Sequence, residues 1–331
     1  MSALLGLLCF AVLTSLAARR WLANAPWTYQ APGIAICVWQ AVTFSVAGTL
    51  VLAGAALVLP QMHLSVDLAE MFRACVAELR HQYQTPAGAG LAVAGGVAAV
   101  ALAVRFTFIL SVLQSRAWST RRSMRATLQL VGTHHPELGY VEVDHVVPLV
   151  YCVPGRFGAR LSHRAGGTRG HGVVVTRGAL EALTPSQLDG VLAHERAHLR
   201  ARHDLAITAA RALEQTFLGL GIFALAAERI TELAEMQADD AARQGQRRDL
   251  AAALLLLGTA GAPVGAMGAG GATAVARIRR LAEPAVPLPG PGMAAAAGAV
   301  LTLVIAPLLL ALVPTVLALF LDCCGNGTVA L

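Results

Sequence analysis

The five residues from His194 to His198 contain two histidines and a glutamate in the pattern H-E-x-x-H. On a helix, residues four apart lie on one face about one turn apart, so both imidazoles can address a single ion. Neutral imidazole is a good zinc ligand, and Glu195 lies beside the pair, where it can hold a water molecule. The spacing predicts metal-assisted hydrolysis. Zinc makes a bound water more acidic, Glu195 takes its proton, and the resulting hydroxide attacks a carbonyl that zinc polarises.

The residues before the motif decide between this interpretation and a polar helix face on which the pattern recurs by chance. Residues 190–193, Gly-Val-Leu-Ala, form an apolar lead-in, so the motif lies on a helix that begins buried. Burying ionisable groups is costly unless they are paired or bound to a metal. The context therefore favours a metal site.

A catalytic zinc usually takes three protein ligands, and the third is expected downstream on another helix. Glu235, 37 residues after His198, is the best candidate. Asp239 shares its helix face and is expected to orient a ligating histidine. Glu232 and Asp240 are interpreted as an ordinary solvated acidic face.

Short elements are expected to position this site. Thr184 to Gln187 is a capping box with proline at the first helical position, which predicts the start of the motif helix. Residues 140–144 and 149–153 are typical of short strands. Residues 172–176 predict a further strand. This strand is a candidate for the sheet edge to which an extended peptide adds. His134 and His135 are expected in a loop.

The composition is that of a membrane protein. Hydrophobic residues make up 56% of the 331 residues and charged residues only 13%, against about a quarter in soluble domains. The net charge of +6 is carried mainly by arginine and is attributed to cytoplasmic loops. No helix-turn-helix, zinc finger or aromatic-basic platform indicates direct nucleic-acid binding. The six cysteines include no C-x-x-C pair, so a cysteine-based zinc site is not expected.

Four hydrophobic runs are long enough to cross a bilayer, at about residues 2–18, 33–59, 87–113 and 293–321. Arg105, within the third run, is expected to reach back to the cytoplasmic interface. A cluster of arginines follows that run with no acidic residue before Glu137: Arg116, Arg121, Arg122 and Arg125. By the positive-inside rule, this cluster places the H-E-x-x-H motif in the cytoplasm.

Residues 205–227 are apolar and long enough to span, but one crossing would separate Glu235 from the two histidines. Two crossings would need about 40 residues. We therefore expect a membrane-associated or buried helix there. The basic run 277–280 is interpreted as either a lipid-headgroup contact or a substrate groove.

The predicted fold is a mainly α membrane protein with about four transmembrane helices and a cytoplasmic α+β peptidase domain. Three regions follow from the pattern. Residues 1–115 carry three spans. Residues 116–285 form the zinc peptidase domain. Residues 286–331 form a linker, the last span and a short outside tail.

The motif segment, Glu235 with Asp239, the run 172–178 and the run 277–281 together resemble the integral-membrane gluzincin metallopeptidases, which are zincin-like. That group includes the HtpX and CAAX prenyl proteases and the BlaR/MecR-type β-lactam-sensor peptidases, and short loops and span count favour the sensor side. The resemblance implies Zn²⁺ as cofactor, with His194, His198 and Glu235 as ligands, Glu195 as general base and Asp239 as support. The sensors carry a large extracellular domain after the last span, which is not expected here.

The expected function is a zinc-dependent endopeptidase of the cell membrane that cuts a protein substrate at the cytoplasmic side. The sensor-type resemblance implies a transcriptional repressor as substrate, and the HtpX-type resemblance implies misfolded membrane proteins. The remaining alternative is a non-catalytic signalling or scaffold protein with a vestigial zinc site. Structural zinc sites are closed by four ligands, and no fourth ligand is evident in the sequence.

Overall fold

The computed structural model describes residues 2–58, 86–156, 171–242, 244–258, 272–283 and 287–325. Eleven α-helices and four strands lie in these residues. In chain order they are α1 Ser2–Arg20, α2 Trp27–Gln30, α3 Pro32–Val58, α4 Pro86–Val131, β1 Gly132–His135, β2 Tyr140–Val143, β3 Val150–Arg156, β4 His171–Thr176, α5 Arg177–Ala182, α6 Pro185–Ala201, α7 His203–Thr216, α8 Gly221–Asp239, α9 Arg247–Gly258, α10 Ala272–Ala282 and α11 Gly290–Gly325.

Within the described residues, four helices are long and apolar enough to cross a membrane. Their apolar stretches are Leu4–Asn24, Pro32–Leu57, Ala89–Val131 and Gly290–Leu312. The four expected hydrophobic helices are therefore present, as in a multi-pass membrane protein. Helix α3 lies at their centre and contacts α1, α4 and α11. Close approach is possible because Gly54 lies against Gly95, where an added Cβ would come within 2.7 Å of the Gly95 carbonyl.

Helix α4 is longer than the span expected at 87–113. It runs for 46 residues without a break, which corresponds to about 69 Å at 1.5 Å per residue. The expected domain boundary at residue 116 therefore falls inside a continuous helix. The outer tail expected after residue 321 begins within α11, and residues 326–331 lie outside the described part of the chain.

Two expectations for the sheet are wrong. The strand order is β1-β2-β4-β3, so β4 is an inner strand and not the edge. Its Val173, Val174 and Val175 are all fully buried, because an apolar run without alternation suits a strand covered on both faces. His134 and His135 form part of β1, which pairs antiparallel with β2, and not a loop.

Helix α6 carries the H-E-x-x-H motif and begins as the sequence predicts. The Thr184 side chain accepts a hydrogen bond from the Gln187 backbone N–H, and the Gln187 side chain accepts one from the Thr184 backbone N–H. Pro185 is the first helical residue. The helix ends at Arg202, whose φ of 54° places it in the left-handed region. That residue turns the chain into α7.

The region 205–227 is not one helix. It is divided between α7 and α8, which form a helical hairpin with its turn around Gly219, at φ +88°. Apolar side chains of the hairpin pack on α3. Leu213 and Phe223 belong to the same buried hydrophobic cluster as Trp39 of α3. Because the chain reverses, α8 brings Glu235 back to α6, which resolves the conflict that a single crossing would create.

Arg105 of α4 contacts the hairpin. Its Nη2 donates a hydrogen bond of 2.9 Å to the Gln215 carbonyl, near the end of α7. The carbonyls of a last helical turn have no partner within the helix. Arg105 therefore has a protein partner at the hairpin end, and its expected reach to the cytoplasmic interface stays a prediction.

Candidate metal centre

Three side chains that can bind a metal meet between α6 and α8. His194, His198 and Glu235 are all buried, and their ligand atoms lie within 4.8 Å of one another. The Nε2 atoms of the two histidines are 3.1 Å apart. The Glu235 carboxylate oxygens lie 3.8 Å from His194 Nε2 and 3.5 Å from His198 Nε2.

Asp239 lies behind His194, one helical turn after Glu235. Its Oδ1 is 3.0 Å from His194 Nδ1, and the residue is fully buried. With Nδ1 directed at this carboxylate, His194 presents Nε2 to the cluster. The orienting role expected for Asp239 stays a prediction. Burial raises the Asp239 pKa, but hydrogen bonds with Arg277 and His194 outweigh it and hold the value at about 2.

Sequence reasoning missed Arg277, which is only 1% exposed. Its Nε and Nη2 donate to the two Asp239 oxygens at 2.9 and 2.7 Å, and its Nη1 lies 2.8 Å from Glu235 Oε2. The interpretation of 277–280 as a headgroup contact or substrate groove is therefore wrong for Arg277, which pairs with both Glu235 and Asp239. Its position one turn before the buried Leu281 was the available signal, because an arginine on the apolar face of a helix needs a buried anion.

Arg280 also has hydrogen-bond partners within the protein. It donates to the Tyr29 carbonyl at 2.9 Å and pairs with Asp240 at 2.8 Å. Asp240 and Glu232 lie away from the cluster, since Glu232 pairs with Arg229 at 2.8 Å. This placement agrees with their interpretation as ordinary acidic residues.

Glu195 is buried beside the cluster and contacts β3. Near it lies the thiol of Cys152, a residue to which the sequence pattern assigns no role. Burial raises the Glu195 pKa to about 7, although the charge of His194 and the neighbouring Cys152 thiol oppose the rise. Burial and the Glu195 charge raise the pKa of the Cys152 thiol, which therefore stays protonated beside the carboxylate.

His203 and Arg202, which follow the motif helix, do not face the cluster. His203 is buried behind His198, with 2.8 Å between the two Nδ1 atoms. The Arg202 side chain is largely exposed and faces Asp204 at 3.6 Å. Neither contacts the side of the histidines that faces Glu235.

The donor set fits a divalent metal. Burial lowers the His198 pKa to about 2, so that imidazole is neutral. Burial also lowers the pKa of His194, but Asp239 and the neighbouring carboxylates more than reverse this; a cation held at Nε2 would take the place of a proton there. Two imidazoles and one carboxylate are a ligand set of catalytic zinc sites.

Comparison with known protein families agrees with this geometry. Residues 164–267 match the model of peptidase family M48. This match, together with the His-His-Glu cluster, supports a zincin-type M48 metallopeptidase. No curated protein and no solved structure matches the chain.

The M48 match covers just under a third of the chain and includes the motif histidines, Glu195, Glu235 and Asp239. Cys152 and Arg277 lie outside it, on β3 and α10. The structure therefore adds a residue from each side of the M48 match to the same site. The match supports the M48 family over this segment and no subgroup within it.

Proposed function

We propose that this protein is a zinc-dependent endopeptidase that hydrolyses peptide bonds at the cytoplasmic surface of the cell membrane. The convergence of His194, His198 and Glu235, with ligand atoms within 4.8 Å, is the observation that carries this proposal. The M48 match supports the metallopeptidase class. Zinc is the proposed ion because its common catalytic ligand sets include this combination.

His194, His198 and Glu235 would hold the metal, while Glu195 and Cys152 act beside it. A bound zinc ion supplies Lewis acidity, which polarises a carbonyl and makes water more acidic. Glu195 accepts the proton of the attacking water and returns it to the leaving amine. The Cys152 thiol fixes the direction of the Glu195 carboxylate. Arg277 keeps the Glu235 and Asp239 charges compensated.

The substrate is proposed to bind as an extended peptide along β3. In the described part of the chain, β3 is an edge strand, and it carries Cys152, which contacts Glu195. An unpaired edge can add a peptide strand through main-chain hydrogen bonds. β3 thus takes the role that the sequence pattern allowed for residues 172–176.

The site is proposed to lie close to the bilayer. Phe106 of α4 packs edge-on against Phe44, near the middle of α3, and the adjacent Arg105 reaches the end of α7. The turn of the hairpin exposes Leu218 at 72% and Leu220 at 45%. Exposed apolar residues in the hairpin turn, close to the middle of α3, support a hairpin that dips into lipid from the cytoplasmic side.

Zinc content and cleavage of a casein-type substrate by the detergent-purified full chain test the proposal. We expect the wild type to bind zinc and cut. Glu195→Gln should keep the zinc and lose cleavage by roughly 10²–10⁴-fold, the usual contribution of a positioned base. Glu235→Ala should lose most of the zinc.

The matched control is Glu232→Ala, which removes an acidic residue of α8 that pairs with Arg229 and not with the site. It should keep both zinc and cleavage. A wild type that binds no zinc, or a Glu195→Gln variant that cuts as well as wild type, would instead support the scaffold alternative.

Two substrate classes remain proposals, a cytoplasmic repressor and a damaged membrane protein. Comparing the proteins of cells that produce wild type or Glu195→Gln separates them. Loss of one soluble regulator in wild-type cells supports the repressor. Stabilisation of several membrane proteins in the variant supports quality control.

A further inference from the structure

Behind His198 lies a chain of hydrogen bonds that the catalytic proposal does not use. His203 is 1% exposed, and its Nδ1 lies 2.8 Å from His198 Nδ1. Its Nε2 lies 2.9 Å from Gln237 Oε1, on α8. The three side chains form one relay, which we call the His198 relay.

The relay exists because the chain leaves helical geometry between its two histidines. On a continuous helix, residues five apart would be separated by roughly 140° around the axis, at 100° per residue. Arg202, in the left-handed region, ends α6 and starts α7 in a new direction. His203 therefore returns beneath His198, which periodicity alone excludes.

The direction of the proton donors in the relay follows from Gln237. A carbonyl oxygen only accepts, so His203 carries its proton on Nε2 and has a lone pair on Nδ1. His198 must then donate from Nδ1, which leaves its Nε2 unprotonated and facing Glu235. The opposite amide orientation would reverse both bonds and place a proton on His198 Nε2, where the metal is proposed to bind.

The Gln237 side chain in turn lies against the first turn of α3. At Gly33, the second residue of α3, an added Cβ would lie 2.8 Å from Gln237 Nε2 and 3.1 Å from its Cδ. Only a residue without a side chain leaves the amide in its present place. The relay thus connects His198 to the cytoplasmic end of α3.

We propose that His203 and Gln237 are positioning residues for metal binding, and that Gly33 of α3 holds Gln237 in the orientation this requires. The proposal rests on the metal site of the proposed function. His194 obtains the same Nδ1 anchoring from the charged Asp239. His198 obtains it from a neutral relay whose last contact is a membrane helix, so the position of α3 bears directly on metal affinity.

Metal affinity of the detergent-purified full chain tests the relay, measured with Zn²⁺ and Co²⁺ against a chelator of known affinity. Thermal unfolding of the metal-free protein is recorded beside it. His203→Leu removes the acceptor for His198 and should weaken binding by roughly 10–100-fold, as is typical for groups that orient metal ligands. His203→Asn keeps an acceptor oxygen near the Nδ1 position and should stay within about threefold of wild type.

The pair Gly33→Ala and Gly48→Ala tests the connection to α3 with a milder change. At Gly48, on the same helix, an added Cβ meets nothing within 4 Å. Gly33→Ala should weaken metal binding and change the Co²⁺ absorption spectrum, whereas Gly48→Ala should do neither. This pair remains informative if His203→Leu does not fold.

The outcomes separate the two proposals. A wild type that binds no metal overturns the proposed function together with the relay. Wild-type affinity in both His203→Leu and Gly33→Ala overturns the relay and leaves the metal site intact. Equal losses in His203→Leu and His203→Asn also overturn it, because they indicate packing and not the direction of a hydrogen bond.

Discussion

The two halves of α8 are built in opposite ways. Its first half is apolar, with Phe223, Ala226 and Ile230 buried against α3. Its second half carries Glu235 and Asp239, which are equally buried but charged. The apolar half needs only a nonpolar neighbour, whereas the charged half needs Arg277, which is 38 residues beyond Asp239 in the chain. One half is therefore stabilised by burial in general and the other by one specific partner.

The largest effect is expected from Arg277→Met, which removes that partner. Two carboxylates would remain buried with their charge uncompensated, and breaking a buried ion pair from one side costs about 3–5 kcal/mol. We expect a large loss of stability in chemical unfolding and loss of bound metal.

Arg279→Met is the matched control for this change. Arg279 is on the same helix, but its side chain is 83% exposed and pairs only with the exposed Glu283. Its removal should change the unfolding free energy by at most about 0.5 kcal/mol. An equal loss in both variants would show that α10 matters as a helix and not through the buried pair.

Phe223→Ala tests the apolar half. The ring is 1% exposed and stacks on Phe217 at 4.7 Å between centroids, and truncating a buried phenylalanine costs about 3–5 kcal/mol. The metal affinity of the folded fraction should stay near wild type, because the ring packs in the apolar cluster against α3. Selective loss of metal at unchanged stability would contradict the division of α8 into two independent halves.

Asp239→Asn should give the smallest effect of the three. The amide keeps the shape and can still accept from His194, but it weakens the pairing with Arg277. Replacing groups that orient metal ligands lowers affinity by roughly 10–100-fold, as measured by chelator competition. Asp240→Asn is the control, since the neighbouring carboxylate pairs with Arg280 outside the cluster, and its metal affinity should match wild type.

Periodicity and local signals predicted much of this molecule. The four hydrophobic helices follow from uninterrupted apolar runs, and the start of α6 follows from the capping box at Thr184. The cluster of His194, His198 and Glu235 follows from helical spacing and a third acidic candidate. The helices, the capping box and the histidine pair depend on residues close together in sequence, where local geometry fixes what is near. Glu235 is 37 residues from His198 and was predicted as the downstream acidic residue that a third ligand requires.

The errors have a common physical origin. The order of strands places β4 inside the sheet, and no property of residues 172–176 reports which strands pair with it. Arg277 and Cys152 reach the site from α10 and β3, so their roles depend on tertiary contacts. The contact of His203 with His198 likewise depends on the left-handed backbone at Arg202, which helical periodicity does not predict.

Helix α4 has a mechanical consequence. It is a continuous rod of about 69 Å, and its last residue, Val131, is followed directly by the first residue of β1. A rod of that length tilted by about 5° around its N-terminal end displaces the other end by about 6 Å. Because the sheet begins where α4 ends, small changes in the tilt of this helix become displacements of the sheet as large as the spacing between neighbouring strands.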